Sequence, residues 1–599
     1  MKKERLISSA LLLENFRRFW SIAAVGFFVY FMSGPYIMLH RSNIGYYGVS
    51  WPDSYFLNSL VVNRNVGFEF MHLVLPVVAA VCVFSYLNKT NSVGFVHALP
   101  FSKRTLFATN YLSALGLSFV PYLINWLICI VCMAAGGTVF STYIADALVW
   151  LLSTLVIQFF VLSLAVLACI VSGNGVIALL TGFAFNFLPH ALLISTVAYE
   201  ESFLFGFVNE GIGDVIFYLS PWSCTIYDYG IGGWALLIYS AVAAVIAVLA
   251  YVLYHRRKLE RAGDSYVFSW MQTIIGFLFV YFFTSVTGLM FFEGFGVMAY
   301  VLGFIIGFLV GQMISLKTLH IFNKKSLKNL VIFAVIMALI VSAFAIDVFG
   351  FEKHVPKADR VQKVEYMGMS PQNVYSTLYF TSEDSIKNAV GLHQEIVDDL
   401  DAVKAEGEES WDASEKYPYV SIRLKYYLNN GRTITRSYRL KTSRISESES
   451  YKALMSSSDA IQALDALRTM DADEYQFSIL YRDGEYMVGE GLPLSDEQSR
   501  QLLSAIAFDI QDTIKAGRFV EGKQTYMLDL TVMTSKYSED EADKLDAYYD
   551  RVYNHAAGNK QYVKPEDNNG KGAWRVFFMN FEIYESYTRS TSLLRSWGY

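Results

Sequence analysis

Nine apolar stretches dominate the first 350 residues: Phe19–Leu39, Phe68–Leu87, Leu106–Met133, Ala147–Val171, Val176–Ala198, Gly232–Tyr254, Met271–Phe292, Gly296–Leu316 and Leu330–Ile346. Crossing the hydrocarbon core as a helix takes roughly 20 such residues. A bilayer offers no water to satisfy backbone N–H and C=O groups, so runs of this length are read as helices. The expected fold is a polytopic α-helical membrane protein with about nine transmembrane helices, followed by a C-terminal domain.

The charges between the spans set the orientation. With the N-terminus inside, segments 1–18, 88–105, 172–175, 255–270 and 317–329 carry 16 Lys/Arg, whereas the opposite loops carry two, Arg41 and Arg64. The positive-inside rule then predicts a cytoplasmic N-terminus, and nine crossings place residues 350–599 outside. No cleavable signal peptide is recognised: the first span follows Arg17–Arg18, is long, and lacks a small-residue cleavage site.

The two parts of the chain differ in charge. Residues 1–350 have a net charge of +4, and residues 351–599, with 30 Lys/Arg against 40 Asp/Glu, have −10. The tail is therefore not a basic nucleic-acid surface. Its Tyr, Val, Ile and Leu content is that of a domain with its own core. All five cysteines, Cys82, Cys129, Cys132, Cys169 and Cys224, precede residue 350, so an exported tail has no disulfide to form. This suits a Gram-positive-type bacterial cell membrane. The CxxC-like pair Cys129/Cys132 sits in an apolar helix without a charged partner, which favours a buried structural pair over a redox or zinc site.

Within the membrane part, residues 4–18 mix apolar and charged side chains at helical spacing. They read equally as an amphipathic helix on the inner leaflet or as a charged flank that only sets topology. In the 88–105 loop, Asn and Gly are expected to break the preceding helix, and Phe95, Val96 and Leu99 form an apolar patch that needs a cover. Pro100 ends the patch, and Ser102 can cap the following helix. Pro76, Pro121 and Pro189 are expected to kink their spans. Glu69, His72 and His190 are the titratable groups within spans two and five, and they form no proton relay.

The tail reads as α+β. Strands are expected at Val361–Met367, Val374–Phe380, Tyr419–Leu428, Thr433–Leu440, Phe477–Tyr481, Tyr486–Gly489, Tyr526–Met533 and Trp574–Tyr584. Asn429-Asn430-Gly431 and Arg482-Asp483-Gly484-Glu485 signal hairpins. Helices are expected over Ser382–Lys404, from the Ser495/Gln498 capping box to Lys515, and over Ser538–Tyr553. No short-period repeat is evident. The chain lacks GxxxxGK[ST], HExxH and GxSxG, and its acidic clusters read as solvated helix faces. An enzymatic role has no motif behind it, and no cofactor or metal is expected.

Several segments resemble a known family. ENFRRFW at 14–20 and SYLNKTNSVGFVHALPFSKRTLFATNYLSAL at 85–115 resemble the permease subunit of bacterial type-2 ABC exporters. RKLERAGDSYVF at 257–268 and DVFGFEKHVP at 347–356 resemble the subgroup with extra C-terminal spans and an exported domain. The resemblance covers residues 1–356 best. It implies a cytoplasmic connecting helix at 1–18 with Phe16, Arg17 and Arg18. It implies a six-helix transport core at 19–254, three further helices at 255–349 and an extracellular domain at 350–599. It also implies an ATPase-coupling segment comprising Val93, Phe95, Val96, Leu99, Pro100, Phe101, Lys103 and Arg104. Its implied partners are a cytoplasmic ABC ATPase subunit, a second permease subunit and membrane lipid, with no nucleic acid. The implied activity is export of an amphiphilic substrate such as an antimicrobial peptide, lipid or drug. The alternative is a non-transporting membrane sensor or assembly factor whose outer domain binds a ligand or cell-wall component.

Overall fold

The computed structural model describes residues 6–39, 66–135, 140–210, 212–226, 233–317, 321, 323–368, 378–408, 419–461, 475–482, 485–486, 492–515, 524–532, 579–584 and 588–597. Among them, nine helices are long and apolar enough to cross a membrane, matching the nine apolar stretches. The chain divides into two compact units. One comprises residues 1–202 and 209–345, and the other residues 203–208 and 346–599.

The first unit is helical. In chain order it contains α1 (Ser9–Ser33), α2 (Val66–Val83), the short α3 (Thr90–Ala98), α4 (Lys103–Ala135), α5 (Phe140–Val171), α6 (Gly175–Phe203), α7 (Gly233–Arg256), α8 (Ser269–Phe295), α9 (Val297–Leu316) and α10 (Lys324–Ala345). The segment before the first span is not separate from it: α1 runs through both, with one non-helical residue at Phe19. Pro76, Pro121 and Pro189 lie inside continuous helices. At Pro121 the amide of Asn125 donates to Pro121 O (2.8 Å) and to Phe27 O of α1 (3.2 Å), so the proline turn also joins two helices. The hairpin of α8 and α9 closes on small residues. A Cβ at Gly303 would lie 2.5 Å from Phe283 O, and one at Gly307 2.8 Å from Phe279 O. Only glycine permits that backbone approach. Two short helices, Ile212–Phe217 and Pro221–Ile226, lie in the loop between α6 and α7.

The second unit is α+β. Its first sheet has the order β2 (Leu378–Phe380), β1 (Val361–Gly368), β3 (Tyr419–Leu428), β4 (Thr433–Lys441). Helices α11 (Glu383–Asp398), α12 (Leu400–Glu408) and α13 (Glu449–Met455) accompany it. The second sheet contains β5 (Tyr475–Arg482), β6 (Glu485–Tyr486), β7 (Leu492–Pro493), β8 (Gln524–Val532) and β9 (Met579–Tyr584). Helices α14 (Asp496–Lys515) and α15 (Thr588–Ser596) belong to this half. Its order is β6-β5-β8-β9, and β7 also pairs with β5. Every pairing in both sheets is antiparallel.

Among the described elements the two halves share one order: paired strands, a helical segment (α11 with α12 in the first half, α14 in the second), two strands and a helical segment. In each, a serine caps the helix that follows the paired strands. Ser382 accepts the Ser385 N–H, and Ser495 exchanges bonds with Gln498 as a capping box.

Several expectations shift. The helix expected over Ser382–Lys404 breaks at Asp399, which has φ −115° and ψ 32°. Asp399 and Glu406 both pair with Arg444, so this part of the acidic run is an ion-pair site. Of the Val374–Phe380 strand, Leu378–Phe380 is observed, and of Trp574–Tyr584, Met579–Tyr584. The remainders, and the helix expected over Ser538–Tyr553, lie outside the described residues. The NNG hairpin forms, with Gly431 at φ +79°. Helix α15 was not expected.

The residues 203–208 that belong to this unit are held by specific contacts. Phe205 N–H donates to Glu352 Oε1 (2.8 Å), and Lys404 binds the other carboxylate oxygen (2.7 Å). Ser437 N–H on β4 donates to Gly206 O (3.1 Å). Gly206 has φ +79°, and a Cβ there would lie 2.6 Å from the Tyr438 ring.

Candidate functional site

The 88–105 segment is a formed helix with two anchors and one free face. Lys89 is extended and ends the preceding 3-10 turn Phe84–Asn88; α3 follows. Gly94 lies within α3 and does not break it. Val93 is buried among the bundle residues, so of the implied contact residues it is an internal anchor. His97 is the second anchor. Its Nδ1 lies 2.9 Å from Val93 O and its Nε2 3.3 Å from the hydroxyl of Tyr254, at the end of α7. That hydroxyl in turn meets Tyr86 Oη at 3.0 Å.

The opposite side faces out. Phe95 is 70% exposed, Pro100 is exposed, and Val96, Leu99 and Phe101 are half-buried. Lys103 and Arg104 are exposed at the first turn of α4, where Ser102 Oγ accepts the Thr105 N–H (3.2 Å) as the expected cap. A largely exposed Phe on a short, internally braced helix leaves apolar area that no described residue of the first unit covers.

The segment before the first span packs on α4, the helix that follows this patch. Asn15 is buried and its amide donates to Asn110 Oδ1 (2.8 Å) and Ser113 Oγ (3.0 Å). Ser8 N–H donates to Thr109 Oγ1 (3.1 Å). The Phe16 ring lies against Gly116, where a Cβ would sit 2.5 Å from Phe16 Cζ. Arg17 and Arg18 are exposed. The described part of residues 4–18 is thus the start of α1, a helix packed on α4. Asn15 is the residue that sequence reasoning missed; an Asn among apolar residues on a helical face was its one signal.

A second missed residue is Arg257, counted from sequence as one of several loop cations. It is buried. Its Nη1 donates to Cys169 O, Ile170 O and Ser172 O, and its Nη2 to Leu87 O. It thus binds the terminal carbonyls of α5 and of the 3-10 turn just before α3. Cations are favoured at helix C-termini because the free carbonyls there carry partial negative charge. Burial lowers the Arg257 pKa to about 10, which leaves it charged at neutral pH. The following loop is latched to the turn after α5. Gly263 N–H donates to Gly173 O (2.7 Å), Gly173 N–H donates to Ser265 O (3.2 Å), and a Cβ at Gly173 would lie 2.5 Å from Asp264 O.

Inside the bundle, His72 Nδ1 meets Tyr30 Oη (3.0 Å), which accepts from Gln158 Nε2 (3.2 Å). Phe68, Tyr122 and Trp150 surround them. His190 Nε2 lies 3.0 Å from Ser223 Oγ. Among the described residues, no group of three His, Cys, Asp or Glu side chains is arranged to hold a metal ion. Chemically, the arrangement among the described residues is a short helix with an exposed apolar side chain, tied by Val93 to the bundle core and by His97 to α7. No protein-family model, curated protein or solved structure matches the chain.

Proposed function

We propose that this chain is the membrane-spanning permease subunit of an ABC exporter. ATP would be hydrolysed in a separate cytoplasmic ATPase subunit, and a second permease subunit would complete the pathway. The observation that carries the reading is α3: a short helix between two long apolar helices, with Phe95 70% exposed, braced from behind by Val93 and His97. A partner that closes on ATP and grips Phe95 would pull on α3. His97 and Tyr254 lead from α3 to α7, and Arg257 from the base of α3 to α5. A displacement at α3 would then bias a two-state arrangement of the helices.

The Lys/Arg asymmetry of the loops supports a cytoplasmic position for α3 and an extracellular one for the C-terminal unit. The substrate class, an amphiphile such as a peptide, lipid or drug, rests on the resemblance alone.

The experiment is affinity capture of the chain followed by ATP hydrolysis assays. Burying one large apolar side chain contributes about 1.5–3 kcal/mol. The double substitution Phe95→Asp and Leu99→Asp should therefore abolish retention of the ATPase while the chain still inserts in the membrane. If wild type captures no ATPase, the sensor or assembly-factor reading takes its place. If the double variant retains the ATPase, α3 is not the coupling element.

A further inference from the structure

The C-terminal unit covers its large apolar side chains with one local exception. Among its described residues, those left exposed are Ile346 (72%), Val348 (61%), Phe349 (87%), Ile461 (38%) and Phe508 (43%). The three most exposed lie within four consecutive residues, directly after α10 ends at Ala345. A single exposed apolar residue is ordinary, whereas a cluster marks a place that something covers.

The cluster sits on a built turn. Asp347 has φ +45°, a left-handed conformation that Asp tolerates better than most residues. Its carboxylate accepts the Phe351 N–H (2.7 Å) and the Glu352 N–H (2.8 Å), and its carbonyl accepts the Gly350 N–H (2.9 Å). Gly350, at φ +64°, closes the turn. The next ring is treated differently. The Arg436 guanidinium lies 3.6 Å from the centroid of Phe351, and Arg436 Nη2 donates to Phe351 O (2.9 Å). Of two phenylalanines two positions apart, one is drawn into the unit and the other is held out of it. Past the turn, the exposed residues are the polar Lys353 and His354.

What covers the cluster follows from its place in the chain. Helix α10 has 22 residues. At about 1.5 Å each they rise about 33 Å, close to the roughly 30 Å of a hydrocarbon core. A span of that length ends at the edge of the core. The ends of a β-turn lie within about 7 Å of each other, so this turn stays in the layer of about 5–8 Å that separates hydrocarbon from water. A soluble partner would have to displace headgroups to reach Phe349; lipid is already there.

We propose that the Asp347–Gly350 turn is a lipid anchor, with Val348 and Phe349 inserted at the headgroup–acyl boundary of the leaflet in which α10 ends. The inference needs α10 to cross the membrane and stands apart from the transport reading. The test uses the full chain, its five native cysteines replaced by alanine, in phosphatidylcholine nanodiscs. A fluorescent label on Phe349→Cys should be quenched by lipids spin-labelled near the glycerol. Aqueous iodide should quench it at least about threefold less than a label on Ser456→Cys. A label on Lys353→Cys, at an exposed position past the turn, should respond to iodide as that on Ser456→Cys does. Should the cysteine-free chain misfold, photoreactive benzoylphenylalanine in place of Phe349 in the native chain should cross-link to phospholipid. Iodide quenching at 349 equal to that at 456 overturns the proposal. So does equal protection at 353, which would mean that the segment lies among headgroups without an inserted turn. A label shielded from both iodide and spin-labelled lipid, or a cross-link to protein alone, overturns it in favour of a protein cover.

Discussion

Removing the Arg257 side chain should loosen the helical unit at the point where α3 begins. The guanidinium satisfies carbonyls of Cys169, Ile170 and Ser172 with one nitrogen and of Leu87 with the other. A hydrogen bond to a charged group contributes about 1.5–3 kcal/mol, but three of these acceptors share one nitrogen, so the bonds do not sum. Against them stands the cost of burying the charge, which the depressed pKa of Arg257 also reflects. With the charge gone, what remains is unsatisfied buried carbonyl, at about 1–3 kcal/mol for each of the two anchoring points, so Arg257→Ala should cost about 2–6 kcal/mol. At about 2–4 °C per kcal/mol for a unit of a few hundred residues, the melting temperature should fall by roughly 4–24 °C.

Arg257→Lys should cost less but not restore wild type, because one ammonium cannot reach both Leu87 O and the α5 carbonyls in a fork. The assay is thermal unfolding of the purified full chain by intrinsic fluorescence, together with alkylation of Cys169 in a variant whose other cysteines are replaced. Cys169 is buried and its carbonyl is one of the four acceptors, so its thiol should label faster in Arg257→Ala. A melting temperature within about 2 °C of wild type, with unchanged labelling, would show that the carbonyls find other partners and that Arg257 holds nothing together.

Three further outcomes are expected. In the C-terminal unit, burial holds His393 neutral, and Arg436 and then His354 add to this, taking its pKa to about 3; its Nε2 faces the Tyr438 hydroxyl and its ring stacks on Tyr426. The unfolded chain takes up this proton below about pH 6.5, so its contribution is intact above that value and is lost at about 1.4 kcal/mol per unit as pH falls toward 3. Pulse proteolysis at pH 7 and pH 5 should show a smaller acid loss in His393→Phe by about 2 kcal/mol; equal losses would remove His393 as the cause. Gly206→Val should destabilise the same unit by about 1–3 kcal/mol from its left-handed backbone alone, read as faster proteolysis; a neutral result would mean that residues 203–208 are not held as observed. Cysteine at exposed Ser456 should react with an impermeant thiol reagent on intact cells, and labelling only after permeabilisation would contradict the nine-span topology.

The sequence made the long elements legible because bilayer length and strand alternation leave a period in the residues. The helical series, the NNG hairpin and the Ser495/Gln498 box are cases where local chemistry alone decides the conformation. Long-range partners were not legible. Arg257 reads as one more loop cation until the carbonyls of Leu87 and Ser172 are seen to converge on it. His97 draws no attention in the sequence, because its partner Tyr254 lies 157 positions away. The apolar patch at Phe95, Val96 and Leu99 was found as a group, but its division was not. Which of its members face outward depends on Val93 being drawn into the bundle. The doubled element order of the C-terminal unit leaves no period because its halves share strand order and not side chains.

The most direct test of the transport reading places a photoreactive amino acid at position 95 and irradiates intact membranes. Phe95 is 70% exposed among the described residues, so a bulky probe fits there whatever the function. The account predicts a cross-link to a protein carrying a P-loop ATPase sequence, strengthened or weakened by ATP. A probe that cross-links only to lipid, or to no ATPase in either nucleotide state, would contradict it.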